Sequence, residues 1–218
     1  AKELARAVGL PLPTTYHLLR TLVHEGYLRK LEDGYTLGER LTALTQRGSM
    51  LTVLSRVRPI MRAVRDELRG ACYLSLYSHG EIKLVDIVDS PEAPRVDLWV
   101  GVHEAAHATA FGKCILSGLD AEARRDYLSR HRLTDLTPYT ITDVRVLEQR
   151  LAPGRDVFDD REEYLLGTAC VASPIRAPGL IGAIAVSIPA RRYASVAADP
   201  TPLHRAARRI ARAFAIGS

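Results

Sequence analysis

The sequence predicts an α+β fold in two unequal parts: a helical head closed by a small hairpin, and a larger domain around an antiparallel sheet. Three patterns carry that expectation. Within the first 38 residues a short helix, a break and a second helix lead into an Asp-Gly hairpin. Residues 38–57 keep a weak helical periodicity. Beyond them, short β-rich runs alternate with helical stretches, as in an α+β domain. The boundaries that follow are 1–38 for the head, 39–57 for a linking helix and 58–218 for the larger domain.

In the head, residues 2–8 (KELARAV) read as a short helix with Leu4, Ala5 and Val8 on one face, broken at Gly9-Leu10. A second helix runs from about Pro13 to Glu25. Proline is tolerated at the first helical position because its missing N–H has no intrahelical partner there. Gly26 supplies a residue tolerant of the left-handed conformation at the end. Leu18, Leu19, Leu22 and Val23 crowd one side of this helix and are expected to hold the head together. Thr14, His17, Thr21 and His24 follow helical spacing on the other side, with Arg20 beside them. Residues 27–37 form the hairpin, with Asp33-Gly34 as its two-residue turn.

Pro59 interrupts the linking helix or starts the next one, over residues 59–69, which Gly70 ends. ACYLSLY and EIKLVDIV read as strands joined by Ser78-His79-Gly80, and VDLWV as a further strand. Helices are expected over 106–116, 120–129 and 143–151. TACVASPI and LIGAIAVSI are strands joined near Pro178-Gly179, and residues 200–215 close the chain as an amphipathic helix. No repeat or low-complexity segment interrupts this plan.

Composition narrows the class. Hydrophobic residues make up 47% and charged residues 25% of the 218, which excludes a fibrous or disordered chain. The net charge is +5, and it is unevenly placed. Residues 1–58 hold nine basic and five acidic side chains, so most of the excess sits on the head and favours a phosphate backbone. Cys72, Cys114 and Cys170 have neither metal spacing nor disulfide pairing, which suits a reducing cytoplasm. No apolar run reaches the roughly 18 residues of a membrane span, and no signal peptide opens the chain. The sequence starts inside a helical pattern, so further residues are expected upstream.

Helix, sharp turn, helix and hairpin is the layout of a winged helix-turn-helix, whose second helix enters the major groove of duplex DNA. Thr14, Thr15 and His17 would face bases or phosphates, and Arg20 a guanine or phosphate. Arg29 and Lys30 on the wing would pair with the backbone.

Taken together, LPLPTTYHLLRTLVHEGYL and YTLGERL in the head, with HATAFGKCIL, LTPYTITD, DDREEYLLGTACVASPI and LIGAIAVSIP in order behind them, resemble the IclR family of bacterial regulators along nearly the whole chain. The family's first head helix has no counterpart here. The resemblance implies a homodimer or dimer of dimers binding double-stranded operator DNA, without cofactor or metal. It also implies a PAS- or GAF-like effector domain with a curved antiparallel sheet. The implied effector residues are Ala110, Phe111, Asp160, Cys170, Ala185 and Ser187. Ala185 stands where members that bind small carboxylates often carry a hydroxyl, and Phe111 is bulkier than the usual residue. Both turn the expected effector away from a glyoxylate-like ligand toward something more apolar or aromatic, an organic acid or an aromatic metabolite.

Two other classes compete. His103-Glu104-Ala105-Ala106-His107 has the H-E-x-x-H spacing of a zinc hydrolase, with Glu122 available as a third ligand, although Gly101 stands close upstream and the extended motif is missing. A metabolite-binding module without DNA function is the other. Asp159, Asp160, Glu162 and Glu163 suggest paired catalytic carboxylates or, more simply, a charged loop. His107 and Lys113 read as an acid and a cation in a cleft or, more simply, as groups that cap a helix N-terminus or lie on a solvated face. Cys170, Tyr73 and Trp99 are core or pocket wall. Arg205, Arg208, Arg209 and Arg212 are the solvated face of the last helix or a second basic patch.

Overall fold

The structure, a computed structural model, describes residues 1–96, 105–151 and 154–215. VDLWV, His103 and Glu104 thus lie wholly or mostly outside the described residues. Two compact units are present, Ala1–Thr52 and Val53–Ser218, so the division falls within a helix.

In the first unit, α1 (Lys2–Val8) ends at Gly9, whose φ of 67° is the left-handed conformation that glycine adopts without penalty. Helix α2 (Leu12–His24) follows, with proline among its first residues. Strands β1 (Leu28–Leu31) and β2 (Gly34–Leu37) pair antiparallel with Leu31 opposite Gly34. The hairpin forms as expected, but its turn is Glu32-Asp33, one residue early. Neither turn residue has positive φ, and Gly34 is a strand residue rather than the turn residue expected of it. The leucines are a second correction. Leu19 is buried, whereas Leu18 and Leu22 are exposed and line an apolar groove of about 540 Å³ with Leu4, Val8, Leu10 and Leu37.

Helix α3 (Glu39–Leu68) continues through Pro59. An interior proline costs about 3 kcal/mol. Val57, Ile60, Met61 and Val64 are buried around it, each burial returning about 1.5–3 kcal/mol, so packing outweighs the lost hydrogen bond. Arg58 adds a two-pronged bond to Asp86, at 2.8 and 3.1 Å.

The second unit is built on five antiparallel strands: β3 (Ala71–Ser78), β4 (Glu81–Val88), β5 (Phe158–Arg161), β6 (Thr168–Ala177) and β7 (Leu180–Pro189). Their order is β4-β3-β7-β6-β5. The β3–β4 turn places His79 and Gly80 both at positive φ. Helix α4 (Ala110–Gly118) crosses one face of the sheet, over β5, β6 and β7, and α5 (Ala121–Arg130) and α6 (Val144–Arg150) follow it in sequence. Helix α7 (Tyr193–Ala198) touches β6, and α8 (Thr201–Ala215) packs on β6 and β7. Leu203, Ala206, Ala207 and Ile210 form the buried stripe of α8.

Three local expectations change. The helix expected over 106–116 is split into a single 3-10 turn, Ala106–Ala108, and α4. Thr109 takes extended backbone between them, and its hydroxyl accepts the Gly112 N–H at 3.2 Å as an N-cap. The charged segment expected as a loop contains β5. Helix α7 was not expected at all.

Candidate ligand site and head surface

The strand register gathers most of the anticipated pocket residues on one face. Asp160 of β5 lies opposite Cys170 of β6, which lies opposite Ser187 of β7. In the next row Phe158, Ala172, Ala185 and Tyr73 follow across four strands. Ala110 and Phe111, from the first turn of α4, belong to the same buried cluster as Cys170 and Ala185. All six expected residues are therefore brought together and buried. The ring of Phe111 stacks near that of Tyr73, with centroids 6.4 Å apart and planes inclined by 23°.

The polar groups here are few and specifically partnered. Tyr73 Oη and Ser187 Oγ share a hydrogen bond of 3.1 Å, and the Val96 N–H donates to Tyr73 Oη at 2.9 Å. Burial pushes the Tyr73 phenol up to about 12, so it stays protonated. Asp160 Oδ1 accepts N–H bonds from Glu163 (2.8 Å) and Tyr164 (3.3 Å). Even so, burial pushes its carboxyl up to about 7. Burial raises the Cys170 thiol well above its ordinary value, which removes thiolate reactivity near neutral pH.

Behind Asp160 lies a buried ion pair, Lys113 Nζ to Glu163 Oε2 at 2.5 Å. Lys113 is only 3% exposed, so the expectation of a capping or solvated lysine is corrected. The expected charged loop is corrected likewise, because Asp160 and Glu163 are both buried. Thr137 and Thr140 hold the segment in place by donating from their hydroxyls to the carbonyls of Glu162 and Glu163, each at 2.6 Å. This is what LTPYTITD does: it clamps the β5–β6 connection, in which Glu162 takes positive φ. Sequence reasoning missed the Lys113–Glu163 pair and left Tyr73 unresolved. No spacing in the sequence couples residues 50 apart.

His107 is buried, and its Nε2–H donates to the Thr134 carbonyl at 2.9 Å. Burial, the Lys113 charge adding to it, holds the imidazole below its usual value despite that bond. Glu122 is exposed on α5. Among the described residues no three His, Cys, Asp or Glu groups are placed to hold a metal.

On the head, Thr14, His17 and Arg20 are exposed along α2, and Arg29 and Lys30 are exposed on the hairpin. Thr15 is different. It is 4% exposed, and its hydroxyl donates to the Pro11 carbonyl at 3.1 Å, so its assignment to the DNA-facing set is corrected. It follows Leu19 by helical spacing onto the buried side. No helix of the described residues is long and apolar enough to cross a membrane.

A helix-turn-helix head with a β-hairpin wing, followed by a helix-flanked antiparallel sheet with a row of buried polar side chains, defines a class of two-part transcription regulators. The chain belongs to the IclR family: residues 46–214 match the family model for the bacterial transcriptional regulator IclR C-terminal domain, and residues 1–32 match that for the IclR helix-turn-helix domain. It is similar to the acetate operon repressor of Salmonella typhimurium, 30% identical over 181 residues, covering 79% of this chain and 66% of the repressor. The chain thus spans just under two thirds of that relative's length. Among solved structures it resembles a transcriptional regulator of Rhodococcus, with 25% identity, a TM-score of 0.68 and coverage of 99% and 89%. It also resembles an IclR homologue of Microbacterium hydrocarbonoxydans complexed with 4-hydroxybenzoate, with 26% identity, a TM-score of 0.67 and coverage of 99% and 90%.

Proposed function

We propose that this protein is a DNA-binding transcription regulator, not an enzyme, whose hold on operator DNA is set by a small aromatic organic acid. The observation that carries the reading is the presence, in one chain, of an exposed Thr14-His17-Arg20 edge on the second head helix and a buried Asp160-Cys170-Ser187 row in the second unit. On this reading α2 enters the major groove, with Arg20 at a guanine or a phosphate, while Arg29 and Lys30 meet backbone phosphates. The protein acts in the cytoplasm as a homodimer or dimer of dimers, its heads spaced by about ten base pairs or a multiple.

The ligand class follows from the site's chemistry. Phe111 and Tyr73 supply ring surfaces, and Ala185 offers no hydroxyl. An ionised carboxylate beside an anionic ligand would repel it. Asp160 titrates at about 7, so near neutrality a share of it stays protonated and donates an O–H to the ligand's carboxylate. Tyr73 and Ser187 supply the remaining hydroxyls. The relative holding 4-hydroxybenzoate supports this choice of class.

The test is fluorescence anisotropy with DNA from upstream of the gene and a scrambled duplex. Binding should prefer the upstream DNA, and Arg20→Ala should weaken it by about 1–3 kcal/mol if Arg20 reads a base. Equal affinity for both duplexes, unaltered by Arg20→Ala, contradicts the reading.

A further inference from the structure

A groove of about 570 Å³ lies on the opposite side of the sheet from the effector row, between α8 and the strands beneath it. His204, Arg208 and Arg212 project into it at i, i+4 and i+8 of α8, and Arg176 faces them from the end of β6. Arg205, on another face of the helix, is already engaged by Glu67 at 2.6 Å. Among the described residues the only acidic one lining the groove is Asp156, and it is committed to Arg176 at 3.1 Å. The His204 Nε2–H donates to the Asp156 carbonyl at 3.1 Å. Arg208 and Arg212 have no acidic partner among the described residues. Like charges one turn apart on a helix repel each other, so this pair costs stability while the groove is empty.

The floor adds a hydroxyl. Ser173 of β6 lines the groove and is only 2% exposed, and its hydroxyl can donate to an anionic oxygen. Pro174, Ala207 and Ala211 complete the lining with small apolar surfaces that leave room for an organic group.

We propose that this groove binds a small phosphorylated molecule, with its phosphoryl group between Arg208, Arg212 and Arg176 and a phosphoryl oxygen accepting from Ser173 Oγ. The charges match: three guanidiniums against one carboxylate leave two positive charges, and a phosphate monoester carries about −1.5 to −2 near pH 7. Guanidinium forks pair two N–H groups with two phosphate oxygens. The groove's volume exceeds what one phosphoryl group fills, and Ser173 sits too deep for a duplex to reach. The groove shares no residue with the DNA-facing helix or the effector row, so it stands or falls independently of the regulator reading.

The experiment is titration of the intact protein with phenyl phosphate and with inorganic phosphate, followed by phosphorus NMR and calorimetry. Citrate and a random DNA duplex serve as competitors. Saturable binding is expected, weakened about tenfold or more by the double variant Arg208→Ala/Arg212→Ala and several-fold by Ser173→Ala. Both arginines are exposed, so the melting temperature should hold or rise. Binding of 4-hydroxybenzoate should be unaltered. Absence of saturable binding, or binding indifferent to the double variant, overturns the proposal. So does equal binding of citrate, which would reduce the site to general anion attraction, or displacement by DNA, which would make the helix a nucleic-acid surface.

Discussion

Replacing Asp160 with asparagine separates the cost of charging this buried group from the hydrogen bonds that it accepts. In the Asp160→Asn variant the amide oxygen can still accept from the Glu163 and Tyr164 N–H groups, but the side chain cannot ionise. In the native protein burial raises this carboxyl from its ordinary 3.8 to about 7. A carboxyl raised on folding gives stability that is fully present below its unfolded value and is lost as pH rises through the folded one. The loss therefore runs from near pH 4 to somewhat above pH 7. At 1.36 kcal/mol per unit, about three units correspond to a full cost of about 4 kcal/mol, of which about 2–3 kcal/mol falls between about pH 5 and pH 8. Urea unfolding of both proteins at these two pH values measures it. The advantage of Asp160→Asn over the native protein should grow by about 2–3 kcal/mol toward pH 8. Parallel pH dependences would refute the reasoning and place the charge in a solvated setting.

Further outcomes follow from the same geometry. Lys113→Met leaves Glu163 buried without its cation and should cost about 3–5 kcal/mol in denaturant unfolding, whereas Lys113→Met/Glu163→Leu should recover most of that loss; simple additivity would contradict a coupled buried pair. Thr15→Val removes only a bond to the Pro11 carbonyl, so it should cost about 1 kcal/mol of head stability and leave affinity for operator DNA unchanged in anisotropy titrations. A drop in affinity would return Thr15 to the DNA-facing set.

Much of the fold was legible because the periodicities are strong and local. The two head helices, the strand pairs around His79-Gly80 and Pro178-Gly179, and the stripe of α8 all emerge from spacing and turn residues. What escaped depends on tertiary contacts. Pro59 reads as a breaker in sequence, and only the burial of Val57 and Met61 explains its place inside a helix. Asp160 and Glu163 read as part of a charged loop until Lys113 pairs with Glu163, and Thr137 and Thr140 bond the carbonyls of Glu162 and Glu163, from distant segments. The six expected effector residues came from resemblance rather than from spacing, and the strand register then gave four of them a geometric reason to adjoin. On α2 the helical period separates the exposed Thr14, His17 and Arg20 from the buried Thr15 and Leu19, yet the sequence alone did not keep Thr15 off the polar edge.

Regulation by a ligand requires that the two sites bias one another, and such coupling is reciprocal. The direct measurement is the affinity for upstream DNA with and without a saturating aromatic acid, beside the affinity for that acid with and without DNA. 4-Hydroxybenzoate is the first probe. Both ratios should agree, at about 5–150-fold, and both should collapse to unity in Asp160→Ala while its DNA binding without ligand persists. A protein that binds the acid in the Asp160-Cys170-Ser187 row and binds the DNA, with neither altering the other, would contradict the proposed regulation.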